Sequence, residues 1–235
     1  MLLLAFETSA KAASVALFDG DRLLGEAYQN TGLTHSQTLM VMAQDSIKTC
    51  GYTPKDITHV AVAAGPGSFT GVRIGVAAAK GFAWGAELPC YGVSTLESMA
   101  LGLGAFEGIV CCVMDARRSQ VYNALFAAED GQLSRLTEDR AISLEELSEE
   151  LKKFNKPIFL VGDGSILTYK TLKNTVSTLV LPPENRMHQR AVGVGIAALA
   201  RINAGDSGDA EALRPNYLRL SQAERERLER AEKEK

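Results

Sequence analysis

The sequence predicts an α/β protein made of two similar halves, and three observations carry that prediction. Short apolar runs alternate with segments of helical period, the pattern of sheets covered by helices. A triplet of strands followed by alternating helix and strand is met twice along the chain. The composition suits a packed chain: of 235 residues, 46 % are apolar and 23 % charged, enough for one large domain or two small ones.

Residues 2–6 are an apolar run, and the polar break Glu7-Thr8-Ser9 separates it from a second run at 13–18. Asp19-Gly20-Asp21 is a hairpin signal leading to a third strand at 23–28. Over 35–50, Leu39, Met42, Ala43, Ser46, Ile47 and Cys50 recur on one helical face, and Gly51 is a stop signal. A strand at 59–64 runs into Gly65-Pro66-Gly67-Ser68-Phe69-Thr70-Gly71, which opens an apolar helix over 72–86. A strand at 90–93 precedes a helix at 94–103, where Ser94 and Glu97 have capping-box spacing.

The order then partly repeats. Strands are expected at 109–114 and 121–127, with a third after the turn Asp130-Gly131. A helix over 143–154 is capped by Ser143 with Glu146 three residues on. A strand at 157–161 leads to Gly162-Asp163-Gly164, followed by a helix at 165–172, a strand at 178–181 and a helix at 191–204. The halves should part in the glycine-containing loop at 105–108, giving domains 1–106 and 107–220 and a charged tail, 221–235. In that tail Arg225 and Glu229 stand at helical i,i+4 spacing, and it reads as a solvated helix or a disordered end.

The net charge of −3 leaves no basic nucleic-acid footprint at the level of the whole chain. Apolar stretches fall short of the ~20 residues that span a bilayer, and the opening run lacks a basic flank, so a buried first strand is expected rather than a leader. Cys50, Cys90, Cys111 and Cys112 contain no CxxC pair and read as free thiols of a reducing cytoplasm.

Two readings stand for the turn at 65–71. Its backbone amides could face an anion, or it could be a tight turn burying the start of a helix. It is neither a P-loop nor a dinucleotide fingerprint. On a helical wheel, Gly71, Gly75, Ala78, Phe82 and Gly85 fall on one stripe; Arg73, Val76, Ala77, Lys80 and Trp84 fall on the opposite one. The glycine stripe predicts close packing, since each interior glycine costs ~1 kcal/mol against alanine. The other carries the chain's only tryptophan beside two cations, and predicts a partner surface.

No catalytic cluster stands out. His35, His59 and His188 have no neighbours at metal-ligand spacing and read as structural. Gly162-Asp163-Gly164-Ser165 is a weak nucleotide signal. Asp115-Ala116-Arg117-Arg118 reads as a surface turn with a local ion pair, or as a contact to an anion or partner across a cleft.

Five segments together resemble the TsaB (YeaZ) family: 3–9, the run from Gly65 to Gly75, Gly92-Val93-Ser94-Thr95-Leu96-Glu97, Asp115-Ala116-Arg117-Arg118 and Arg214-Pro215-Asn216-Tyr217-Leu218-Arg219. The resemblance implies two domains of the actin and sugar-kinase type and a role in making threonylcarbamoyladenosine beside the tRNA anticodon. It implies a non-catalytic subunit that pairs with its paralogue TsaD and the ATPase TsaE, touches tRNA only through the complex, and self-associates as a dimer when alone. TsaD-like proteins carry two metal-binding histidines where this chain has Thr95 and Met99, so no metal is expected.

The expected interface, on the two helices of the first half, is Val41, Gln44, Val72, Arg73, Val76, Ala77, Lys80 and Trp84. Candidate nucleotide or phosphate contacts are Thr8, Ser9, Gly65, Gly67, Ser68, Gly162, Asp163 and Gly164. No cofactor is required of this subunit, with ATP or ADP a candidate for the complex interface. The rival class is an enzyme, either a metal-dependent peptidase or a small-molecule kinase in which Glu7 or Asp115 would serve as base.

Overall fold

A computed structural model describes residues 1–104 and 106–219. The first stretch of chain contains β1 (Leu2–Glu7), β2 (Ala13–Asp19), β3 (Arg22–Gln29), α1 (His35–Thr49), β4 (His59–Ala63), α2 (Phe69–Gly85), β5 (Cys90–Val93) and α3 (Thr95–Leu103). The second contains β6 (Gly108–Asp115), β7 (Gln120–Glu129), β8 (Gln132–Arg135), β9 (Arg140–Ser143), α4 (Leu144–Leu151), β10 (Ile158–Val161), α5 (Ser165–Leu172), β11 (Leu179–Val180), α6 (Glu184–Met187) and α7 (Ala191–Asn203). The charged tail lies outside the described residues.

The first sheet has the order β3-β2-β1-β4-β5. The hairpin-linked strands pair antiparallel, and β1, β4 and β5 run parallel. The second sheet reads β8-β7-β6-β10-β11, the same order with the same senses, and β9 adds to β7. The strands nearest each centre are apolar on both faces because helices cover both: β1 and most of β6 are buried along their length.

Four apolar layers result. On the outer face of the first sheet, Leu4, Phe6, Val60 and Val62 meet Leu39, Ala43 and Ile47 of α1 and Val72, Val76 and Ala79 of α2. On the outer face of the second, Cys111, Val113 and Leu125 meet Leu147 and Leu151 of α4 and Leu172 of α5.

The inner layers cross over. Helix α7, from the second stretch, packs through Val194, Ala197 and Ala198 on Leu3, Ala5 and Ala61 of the first sheet. Helix α3, from the first stretch, packs through Leu96, Met99 and Leu103 on Val110, Cys112 and Phe126 of the second. A linear cut at 106/107 therefore separates the strands but not the layers. Residues 209–216 also return to the first sheet: the Asp209 amide donates to the Cys90 carbonyl and the Asn216 amide to that of Ala64.

Boundaries shift little from the sequence reading. Helix α2 starts three residues earlier, because Ser68 caps it by accepting from the Gly71 amide. The sequence reading lacked β9, α6 and the 3-10 turn Pro54–Asp56, each only three or four residues long. The four cysteines are free thiols, three buried and Cys50 half-buried. No helix among the described residues is long and apolar enough to cross a membrane.

Candidate functional site

Two surfaces stand out: the outer face of α1 and α2, and the cleft between the sheets. On the first, Trp84 is 68 % exposed, Val41 55 % and Met40 42 %, and Leu33 just ahead of α1 is 55 % exposed. Gln44, Arg73, Ala77 and Gly81 share the exposed side.

The expected stripe is too wide by one row. Val72 is 1 % and Val76 5 % exposed, so both belong to the core and neither reaches a partner. The wheel resolves the stripe's direction but not its edge. Val76 stands on the flank turned toward the sheet and α1, which the α2 sequence by itself does not mark. Gly85, expected on the packed stripe, is exposed, while Gly71 and Gly75 are buried as expected. Leu33 and Met40 lie outside the expected interface, although Met40 adjoins Val41 on α1.

The two cations of α2 are engaged by the returning chain. Arg73 Nε donates to Tyr217 Oη at 2.7 Å, and its guanidinium lies 3.8 Å over the Phe69 ring. Lys80 Nζ donates to the carbonyls of Glu211 and Leu213, each at 3.2 Å. Leu213 itself is buried in the first core, against Gly92.

The glycine turn owes its composition to close backbone approach. A Cβ on Gly67 would stand 2.6 Å from the Ser9 carbonyl oxygen, and one on Gly71 would press harder still on that of Thr8. The Ser68 amide donates to the Ser9 carbonyl at 2.7 Å, and Thr8 Oγ1 to the Gly71 carbonyl at 2.8 Å. Asn216 covers Gly65, whose φ is +112°. Gly162, at φ +110°, occupies the equivalent place before α5 and abuts the Val113 carbonyl.

The cleft has a volume of about 820 Å³. Of the eight candidate phosphate contacts, Ser9, Gly67, Ser68 and Asp163 line it, joined by Asp115, Arg117 and His188. Thr8, Gly65, Gly162 and Gly164 are not on its wall.

Glu7 closes β1 beneath this cleft with no exposed surface. One of its oxygens accepts from the Ser9 amide at 2.5 Å; the other has no protein partner. Burial drives its carboxyl up to about 7, against the hydrogen bond from Ser9 and with a smaller push from Asp163. Asp163 is raised by burial too, opposed by the Gln189 side-chain amide that donates to it at 3.2 Å. Asp115 accepts from the Arg117 amide at 2.7 Å. Of the two acids offered by the sequence as a base, Asp115 borders the cleft and Glu7 is sealed below it.

Thr95 and Met99, at the positions where histidines would bind metal, are buried on α3. Met99 packs under Gly162. His35 anchors the start of α1 to the Ala10 carbonyl at 2.8 Å, and His59 stacks on Tyr91. Both are structural.

Two repeats of one strand order, helices on both faces of each sheet and a cleft between them define a protein of the actin and sugar-kinase type. A family model described as "TsaD: tRNA N6-adenosine threonylcarbamoyltransferase" matches residues 29–227. The chain is 31 % identical to the tRNA threonylcarbamoyladenosine biosynthesis protein TsaB of Bacillus subtilis, over 97 % of this chain and 99 % of that protein. It is 37 % identical to the TsaB protein of Escherichia coli, over 70 % of this chain and 72 % of that protein. A Pseudomonas aeruginosa crystal structure, described as an uncharacterized protein with similarity to peptidase YEAZ, superposes with a TM-score of 0.80. It is 25 % identical, with 93 % of this chain and 99 % of the other covered. The chain belongs to the TsaB (YeaZ) family.

Proposed function

We propose that this chain is a non-catalytic subunit of the machinery that installs threonylcarbamoyl on the adenosine next to the tRNA anticodon. It works in the cytoplasm, docks on TsaD through the outer face of α1 and α2, and meets TsaE through that assembly. Without TsaD the same face pairs two copies of the chain. The subunit needs no cofactor of its own; ATP or ADP belongs at the junction with TsaD.

One observation carries the reading: Leu33, Met40 and Val41 at α1 and Trp84 on α2 are each more than 40 % exposed. An apolar patch anchored by tryptophan is the composition of a protein interface. The enzyme alternative keeps one of its two acids at the cleft, Asp115, while Glu7 is sealed below it.

The test is co-purification with TsaD of Val41→Glu and Ala77→Arg, both at exposed positions. Each should lose TsaD while keeping the parent's melting temperature and circular dichroism. Recovery of TsaD at the parent ratio by both variants would remove the interface. Turnover of ATP by the purified chain alone would favour the kinase instead.

A further inference from the structure

The two sheets are joined on one side by α3 and α7, which approach so closely that a Cβ on Gly193 would overlap the Ser98 carbonyl. Across the cleft the join is of another kind. Residues 209–219 run along the first lobe as a strap, held by the Asp209 amide on the Cys90 carbonyl (3.0 Å) and the Asn216 amide on the Ala64 carbonyl (2.6 Å). Tyr217 stacks on Phe69 with ring centroids 4.6 Å apart. The strap then leaves that lobe, and Arg219 Nη1 donates to the Ala116 carbonyl of the second lobe at 2.5 Å.

The acceptor is fixed. Ala116 opens a turn in which Arg117, Arg118 and Ser119 have φ of 65°, 54° and 56°. Three successive left-handed residues other than glycine persist only when their surroundings hold them. Here the Arg117 amide donates to Asp115 and the Leu144 amide to the Ser119 carbonyl. Tyr217, Leu218 and Arg219 all border the cleft.

We propose that residues 209–219 form a latch: the Arg219–Ala116 hydrogen bond holds the interlobe cleft at its closed width, and its release lets the lobes pivot about α3 and α7. The unequal joins make this the direction of least resistance. A pair of interdigitated helices resists shear, whereas one side-chain hydrogen bond is released by a single rotation. The latch is also connected to the outer face of α2, because Arg73 holds Tyr217 and Lys80 holds the carbonyls of Glu211 and Leu213. It stands whether or not that face docks another protein.

The test uses the full chain in a Cys50→Ser background, that thiol being the one of four that is not buried. Spin labels placed at the exposed Lys11 and Glu145 report the distance between the lobes by double electron–electron resonance. Arg219→Ala should lower the latched-to-open ratio by about ten-fold, the size expected for one charged hydrogen bond, and add a longer distance. Arg219→Lys keeps a donor for the carbonyl and should retain the parent distribution. If Arg219→Ala reproduces the parent distribution, or Arg219→Lys opens the cleft as far as alanine does, the latch is wrong.

Discussion

The two lobes share a strand order and differ in what covers them. On the second lobe, α4 and α5 are eight residues each, and α4 is finished for water. Its Ser143–Glu146 capping box is closed, and Lys152 pairs with Glu149 at 2.5 Å. On the first lobe, α1 and α2 run to 15 and 17 residues, and α2 contains no acid. Both of its cations are turned onto the strap, leaving Trp84 and Ala77 on a face with little to hydrate it. The same topology thus supports a helix finished for water, α4, and an unfinished one, α2. The second lobe keeps some apolar exposure of its own, at Ile166 and Leu167 of α5, but no tryptophan.

That difference is broken most severely by a charge on the wrong side of α2. Val76→Glu places a carboxylate among Leu39, Ala43 and Val62 and should cost at least about 4 kcal/mol, enough to unfold much of the chain. Ala77→Arg, one residue on but exposed, should change stability by less than about 0.5 kcal/mol. Urea titrations of the two variants measure the boundary between core and outer face, and similar midpoints would mean that α2 is rotated from the position described.

Gly71→Ala comes next. The added methyl meets the carbonyl oxygen of Thr8, backbone that cannot step aside, and a loss of about 3 kcal/mol is expected from overpacking. In the second lobe the Val113 carbonyl lies as close to a Cβ on Gly162. A Gly71→Ala protein of parental stability would show that the turn relaxes and that its glycines serve something other than packing.

The third difference is in the ends of β1 and β6. Glu7 is buried with one oxygen unpartnered, whereas Asp115 reaches the cleft. A carboxyl raised from 4.5 to about 7 in the folded state binds its proton more tightly there than in the unfolded chain. Its contribution to stability is therefore greatest below pH ~4.5, declines as pH rises to about 7 and is constant above, by about 3 kcal/mol in total. Glu7→Gln cannot ionise and should remove that share of the slope when unfolding is measured at about pH 5 and about pH 8. An unchanged slope would place the titration elsewhere, with Asp163 the next group to mutate.

Much of this was legible in the sequence because it is local. Alternating runs and caps at Ser94 and Ser143 mark elements by chemistry within a few residues, and the doubled order follows from them. What escaped depends on distant chain. Nothing near Gly65 announces Asn216 above it, and nothing near Arg73 announces Tyr217. The crossover of α3 and α7 is invisible for the same reason, since an apolar helix does not state which sheet it will cover. Of the site, the direction of the outer face and the cleft residues Ser9, Ser68 and Asp163 were readable, while the inward turn of Val72 and Val76 and the sealing of Glu7 needed the neighbouring layers.

A stabilising change sharpens the outline of the outer face of α2. Gly81 lies mid-helix on the outer face of α2 with φ in the ordinary range and nothing within 4 Å of an added Cβ. Glycine there costs helix propensity without any compensating contact inside this chain, so Gly81→Ala should stabilise the isolated protein by about 1 kcal/mol. A residue that weakens its own fold and touches nothing in it makes sense where another backbone comes close. The paired measurement is the urea midpoint of the variant beside its co-purification with TsaD. A higher midpoint with weaker TsaD binding would place Gly81 under the partner, next to Trp84. A higher midpoint with undiminished binding would confine the docking surface to Val41, Ala77 and the α1 side of the face.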